Sequence, residues 1–247
     1  MQITKNNYRK FTAIVSLTLL AFTQALRAEN TAVTPEPRDA KWVGRHEGFL
    51  KEAKQGKVDL LFLGDSITDG WRTKGKAVWE KYWAPLHAAN FGIGGDRTQH
   101  VLWRMQNGEL EGIKPKLVVL MIGTNNTGKE KGSDKVRNST EEVIQGVTAV
   151  VQGLRAKLPH TKVLLLAIFP RSEQADNPIR AQLKEINAAI AKLDDGRNVK
   201  FLDIGGKFLT PDGTLPKDIM PDSLHPNDKG YEIWAQAIEG TVKQMMN

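Results

Sequence analysis

Strand-length apolar runs alternate along this chain with helix-length amphipathic segments, and that alternation constrains the fold more than any other feature. The runs are Val58–Leu63, Ala88–Ile93, Leu117–Ile122, Val163–Phe169 and Val199–Ile204. The third and fourth are continuous and rich in Val, Ile and Leu, as expected of strands buried on both faces of a parallel sheet. Between them, Glu141–Leu158 places Val143, Val147, Val151, Leu154 and Leu158 on one stripe. Pro178–Leu193 does the same with Ile179, Leu183, Ile186, Ile190 and Leu193, and Tyr231–Met245 with Tyr231, Trp234, Ile238, Val242 and Met245. Each is the helical period of a one-sided surface helix. Strand and helix in alternation predict an α/β protein: a three-layer α/β/α sandwich around a five-stranded, mostly parallel sheet. There is no internal repeat and no Ser/Gly-rich linker, so one domain is expected over residues 41–247. Thr127–Asn138 is a polar loop placed to border a cleft.

Composition narrows the function classes. The chain of 247 residues has no Cys, which excludes a disulfide scaffold and cysteine-ligated metal. The net charge of +7 suggests nucleic acid, but Lys5, Arg9, Lys10 and Arg27 lie in an acid-free segment, residues 1–28. The other 219 residues carry +3, too little for a phosphate-backbone footprint, so no nucleic-acid partner is expected. Residues 1–28 themselves read as a secretory signal peptide: a basic start, the apolar run Phe11–Phe22, then small residues. Cleavage after Ala25 or Ala28 would give a periplasmic or secreted protein with no stable membrane insertion. The polar, Pro-containing residues 29–40 read as a mobile leader.

In an open parallel sheet, ligands bind beyond the carboxyl ends of the strands. Four motifs fall there: Gly64-Asp65-Ser66-Ile67-Thr68, Gly92-Ile93-Gly94-Gly95-Asp96, Gly123-Thr124-Asn125-Asn126 and Asp222-Ser223-Leu224-His225-Pro226. Each alone is weak, since a Ser after a strand is commonly a helix cap. Together they supply acyl transfer. Ser66 is the candidate nucleophile, sited where a helix end can favour negative charge. His225 can take its proton, and Asp222 can orient the imidazole. The Ser66 and Gly95 amides and the Asn125 side chain can meet the developing oxyanion. His46, His87, His100 and His160 read as structural or solvated, Asp65 as a turn or cap residue, and Asp69 as solvated or a loop brace. No histidine pair has metal-ligand spacing, so neither a metal nor another cofactor is expected. No G-x-S-x-G occurs, and the third glycine of a dinucleotide fingerprint would fall on Arg97.

These four blocks, in this order, resemble blocks I, II, III and V of the SGNH (GDSL-type) hydrolases. Asn90–Lys116 resembles the catalytic subunits of the intracellular platelet-activating factor acetylhydrolase branch. The resemblance runs from about Val58 to the C-terminus. It implies the flavodoxin-like fold of that family and a Ser66–His225–Asp222 triad. It also implies an oxyanion hole of Ser66, Gly95 and Asn125. Ile67, Thr124 and Leu224 match positions that surround the acyl group in the acetylhydrolase branch, so a short-acyl pocket is expected. Ile67 and Asn126 depart from the Leu and Asp of the family motifs. The expected activity is a small-acyl, acetyl-type esterase on a small-molecule or carbohydrate ester, and a homodimer is compatible with it. A lysophospholipase or thioesterase using the same site, and an inactive carbohydrate-binding module, are the alternatives.

Overall fold

The computed structural model describes residues 29–130 and 132–247. Five parallel strands form one sheet: β1 (Leu60–Gly64), β2 (Ala88–Gly92), β3 (Leu117–Met121), β4 (Lys162–Leu166) and β5 (Val199–Leu202). Their order is β2-β1-β3-β4-β5. Among the described residues, seven α-helices surround it: α1 (Ala40–Ala53), α2 (Ser66–Asp69), α3 (Lys76–Tyr82), α4 (Thr98–Gln106), α5 (Thr140–Lys157), α6 (Pro178–Ile190) and α7 (Asp228–Met246).

The continuous apolar runs are explained by burial on both sides. Alternate residues of each strand point to opposite faces. Leu61, Leu63, Val118, Leu120, Val163 and Leu165 join one core with Val143, Val147, Leu154, Leu183 and Ile186 from α5 and α6. Leu60, Phe62, Leu117, Val119, Leu164 and Leu166 join a second core with Trp71, Trp83 and Trp234. Trp234 of α7 packs tilted against Trp71 at 4.8 Å and edge-on to Phe169 at 5.0 Å, so the final helix is fixed by large aromatic area as well as by its apolar stripe.

Helix ends follow local chemistry. Ser139 and Glu142 form a reciprocal capping box at the start of α5, at 3.2 and 2.9 Å. Asp39 caps α1 by accepting from the Trp42 amide at 3.0 Å. Three helices, α1, α3 and α4, were not expected from periodicity.

The segment before α1 corrects the expectation of a mobile leader. Ala32 is fully buried, its carbonyl accepts from Thr98 Oγ1 at 2.7 Å, and the Glu36 amide donates to Gln99 O at 3.3 Å. Arg38 reaches Gly94 O at 2.7 Å. Gly146 of α5 makes this docking feasible, because a Cβ there would lie 2.9 Å from Ala32 O. The expected signal segment, residues 1–28, lies outside the described residues. Among the described residues, no helix is long and apolar enough to cross a membrane.

The strand order sets the site. The chain leaves β1 for β2 on one side, then crosses to β3, β4 and β5 on the other. The order reverses between β1 and β3, and their carboxyl ends carry Ser66 and Asn125.

Candidate active site

Ser66 is the first residue of α2, directly after β1. Its Oγ lies 2.8 Å from His225 Nε2, across 159 positions of sequence. His225 Nδ1 lies 2.6 Å from Asp222 Oδ2. Asp222 Oδ1 also accepts from the amides of His225 at 2.7 Å and Leu224 at 3.1 Å. Partial burial raises the Asp222 carboxyl, but the hydrogen bonds from the His225 ring and amide outweigh it and the net shift is downward. An ionised Asp222 requires the proton on Nδ1, which leaves Nε2 to accept from Ser66 Oγ.

The turn that carries His225 is tightly set. Ser223 adopts φ +57° and Ser172, after β4, adopts φ +71°. Both are left-handed positions unusual for a residue with a Cβ. The Ser172 amide donates to Ser223 O at 2.9 Å, so the two strained residues brace each other. Tyr231 Oη donates to Ile67 O at 2.7 Å and ties α7 to α2.

Gly95 sits at φ +81°, where a side chain would be strained and a Cβ would lie 3.2 Å from the Arg38 guanidinium. A Cβ on its neighbour Gly94 would lie 3.9 Å from Ser66 Cβ, so this loop runs along the nucleophile. Asn125 Nδ2 donates to Asp96 O at 2.9 Å, joining the third loop to the second. Its amide has a second N–H. Asn125 is the one residue of the Gly123–Asn126 turn that is not buried. Asn126 faces the interior, where Oδ1 accepts from the Thr98 amide at 2.9 Å and Nδ2 reaches Gln99 and Asn138, each at 3.0 Å.

Two expected pocket residues are corrected. Ile67 and Thr124 are each 1% exposed, Ile67 within the second core. Their side chains present no wall to a ligand, because linear neighbours of a strand-end residue turn back toward the packed layer. Leu224 alone is partly exposed.

Other expected residues fall as follows. His46 is buried, with Nε2 3.0 Å from Asn107 O, and His100 Nδ1 accepts from the Arg97 amide at 2.9 Å. Burial, and then Arg38, Arg97 and Arg104, push His100 down to about 3, so it is neutral. His87, read as structural or solvated, is paired with Asp59 at 2.9 Å. Asp69 is a brace, 2.8 Å from Arg45.

A buried charge cluster beneath the site was missed. Arg104 is fully buried, lies 3.0 Å from Asp96 Oδ2, and also binds Glu109. Asp96 Oδ1 accepts from Trp42 Nε1 at 2.6 Å. Among the described residues no group of acids and histidines is arranged to hold a metal.

Asp65 caps α2 through Oδ1, which accepts from the Ile67 amide at 3.0 Å, while Oδ2 is buried without a partner. Burial pushes this carboxyl up to about 7; the Ile67 hydrogen bond opposes the shift and the nearby Asp96 charge adds to it. In the unfolded chain the group ionises near the ordinary 3.8. The native state therefore holds the proton more tightly. Its contribution to stability is full below about pH 4 and is lost as pH rises toward about 7. Asp65→Asn keeps the cap oxygen and removes the ionisation. Its stability relative to wild type, measured by urea unfolding, is expected to rise between pH 4 and 7 and level off above. A difference independent of pH would show that Asp65 is not the titrating group.

Comparison with known proteins decides the family. The sequence model of the GDSL-like lipase/acylhydrolase family matches residues 62–233. The chain belongs to that family. This acylhydrolase is 37% identical over 209 residues to platelet-activating factor acetylhydrolase IB subunit alpha2 of Rattus norvegicus, covering 84% of this chain and 86% of that protein. A Bacteroides fragilis structure described as an acylhydrolase superposes with a TM-score of 0.67 at 21% identity, over 85% of this chain and all of the other. An acetyl xylan esterase structure superposes with a TM-score of 0.60 at 24% identity, over 74% and 98%. The acylhydrolase is thus an ester-hydrolysing enzyme with the three-layer fold expected of it.

The same relatives correct the expected location. Those matching over most of the chain are subunits of the acetylhydrolase whose intracellular branch the sequence resembles. A periplasmic or secreted location therefore does not stand.

Proposed function

We propose that this acylhydrolase is a serine carboxylester hydrolase acting on short-acyl, acetyl-type esters through Ser66, His225 and Asp222. The observation that carries the reading is the continuous chain from Ser66 Oγ to His225 Nε2 at 2.8 Å and from His225 Nδ1 to Asp222 Oδ2 at 2.6 Å. Ser66 Oγ attacks the ester carbonyl carbon and its proton passes to His225 Nε2. The carbonyl oxygen becomes an oxyanion, met by the amides of Ser66 and Gly95 and by the free N–H of Asn125 Nδ2. Collapse expels the alcohol, which leaves with the proton from His225. Water then attacks the acyl-Ser66 ester, again giving a proton to His225. The second collapse frees the carboxylic acid and returns that proton to Ser66. Asp222 stays ionised throughout and compensates the transient imidazolium. Every proton and charge is accounted for by these groups, so no cofactor enters the proposed cycle.

The acetylhydrolase and the acetyl xylan esterase named above act, by their names, on acetyl esters, which supports a short acyl group. The test is hydrolysis of p-nitrophenyl esters from acetyl to palmitoyl. Acetyl and propionyl are expected to exceed octanoyl by about tenfold or more in kcat/KM. Faster cleavage of palmitoyl than acetyl, below micelle formation, would turn the reading to a lysophospholipase. Activity on no ester would leave the inactive binding module.

A further inference from the structure

Two guanidinium groups stand on consecutive carbonyls of the turn that presents Asn125. Arg171 Nη1 donates to Thr124 O at 3.1 Å, and Arg137 Nη1 donates to Asn125 O at 3.0 Å. They come from separate parts of the chain: Arg171 follows β4, and Arg137 closes the loop before α5.

Among the described residues, neither donates a hydrogen bond to a carboxylate. Among the described residues, no carboxylate lies within ion-pair distance of Arg171. Glu130 Oε2 is 3.7 Å from Arg137 Nε, too far for a hydrogen bond, and that carboxylate is already gripped by both Nη atoms of Arg97 at 3.0 and 3.1 Å. Arg137 Nε is buried with no acceptor. The loop Thr127–Asn138 adds to the excess, with Lys129, Lys131, Lys135 and Arg137 against Glu130 and Asp134. Burial, and next the charge of Arg137, disfavour the Arg171 cation, and the nearby Asp65 charge opposes them in part. A guanidinium carries five N–H donors in a planar fork that matches carboxylate or phosphate oxygens. Each of these two spends one Nη on a backbone carbonyl. Two like charges on one turn repel each other, and their unspent donors favour a further anion.

The geometry points to an anion-binding subsite made by Arg137 and Arg171 beside Asn125, which takes a carboxylate or phosphate carried by the alcohol half of the ester. The inference rests on the reading of Asn125 as an oxyanion donor. That reading places the substrate carbonyl at the Asn125 amide, and the guanidiniums stand on the backbone carbonyls of the same turn. The acyl half is short in that reading, so the alcohol half is the part that extends to them. Arg137 keeps 24% side-chain exposure, which leaves it open to a ligand from solvent.

The test compares two acetyl esters that differ only in charge, 4-acetoxybenzoate and its uncharged amide. Wild type is expected to favour the anion by about 10–100-fold in kcat/KM, the worth of a charge-assisted pair, and the preference should shrink with ionic strength. Arg137→Gln and Arg171→Gln should bring the ratio near one, with Arg137→Lys intermediate. The ratio is the readout because a purely structural loss would lower both esters alike. Binding of benzoate and of inorganic phosphate, measured by calorimetry, separates the two oxyanion sources and does not depend on turnover. Equal use of both esters by wild type, with neither anion bound, overturns the subsite and leaves the esterase reading intact. Hydrolysis of neither ester overturns the esterase reading, and calorimetry then decides the subsite alone.

Discussion

Ser66→Ala is expected to lower kcat on p-nitrophenyl acetate by on the order of 10⁴-fold or more while the protein melts at its wild-type temperature. In the proposed cycle this hydroxyl forms the acyl-enzyme, and its Oγ lies 2.8 Å from His225 Nε2, which takes its proton. Triad members act as a unit, so removing one forfeits nearly the whole effect, and only oxyanion-hole and binding catalysis persists. The change should not disturb folding. The α2 cap is the Asp65 carboxylate, not the serine, and the packing beside it comes from Ile67. Retention of more than a tenth of wild-type activity would remove Ser66 from the role of nucleophile. A lowered melting temperature of the same size as the lost activity would point to a structural role instead.

Arg104→Met is expected to cost about 3–5 kcal/mol of stability, the range for breaking a buried ion pair from one side. For a chain of this size that is a fall of roughly 6–20 °C in melting temperature. Arg104 is fully buried between Asp96 and Glu109, both also fully buried. Losing the cation leaves Glu109 buried without its counter-charge and Asp96 with Arg38 at 3.3 Å in place of two cations. The Asp96 backbone carbonyl holds Asn125, so esterase activity should fall together with stability. Adding Asp96→Asn and Glu109→Gln to Arg104→Met should recover part of the loss, since neutral amides tolerate burial better than orphaned charges. Urea unfolding of the single and triple variants measures both terms. A loss below about 1 kcal/mol in the single variant would mean that water or a lysine reaches the cluster.

The pH behaviour of Asp65 belongs to the same physics. Asp65 and Asp96 lie under one rim and both are raised, chiefly by burial. Asp96 has a cation within 3.0 Å and Asp65 does not. Asp65 is therefore the carboxyl that can be neutral in the folded protein near neutrality.

The sequence alone determined the elements whose identity depends on local apolar pattern. Val, Ile and Leu in unbroken runs at 117–122 and 163–169 could satisfy burial on two faces only as central strands, and β3 and β4 are there. The stripes of α5, α6 and α7 are periodic over thirteen residues or more, so their helices were legible as well. So were the four loop motifs, because parallel strands put all their carboxyl ends on one edge.

What remained was decided by the tertiary structure, because the deciding partner lies far away in sequence. α4 has Gln99, His100 and Arg104 on its buried side, so no apolar stripe marks it; these polar groups are tolerated only because Asn126, Arg97, Asp96 and Glu109 receive them. α1 buries Trp42, His46, Phe49 and Ala53, a stripe diluted by a histidine and a small residue. Residues 29–40 read as mobile because their own composition is polar, yet their backbone groups find Thr98 and Gln99. Ile67 and Thr124 were assigned to a pocket by adjacency, and the turn geometry sent both side chains into the interior. The pairing of Arg137 and Arg171 on one turn joins residues 34 positions apart through the carbonyls of a third segment, and no pattern of spacing encodes it. Periodicity reports which face a residue shows to the solvent. It does not report which distant charge or carbonyl waits on the buried side, and in this fold those long-range partners assemble the rim around Ser66.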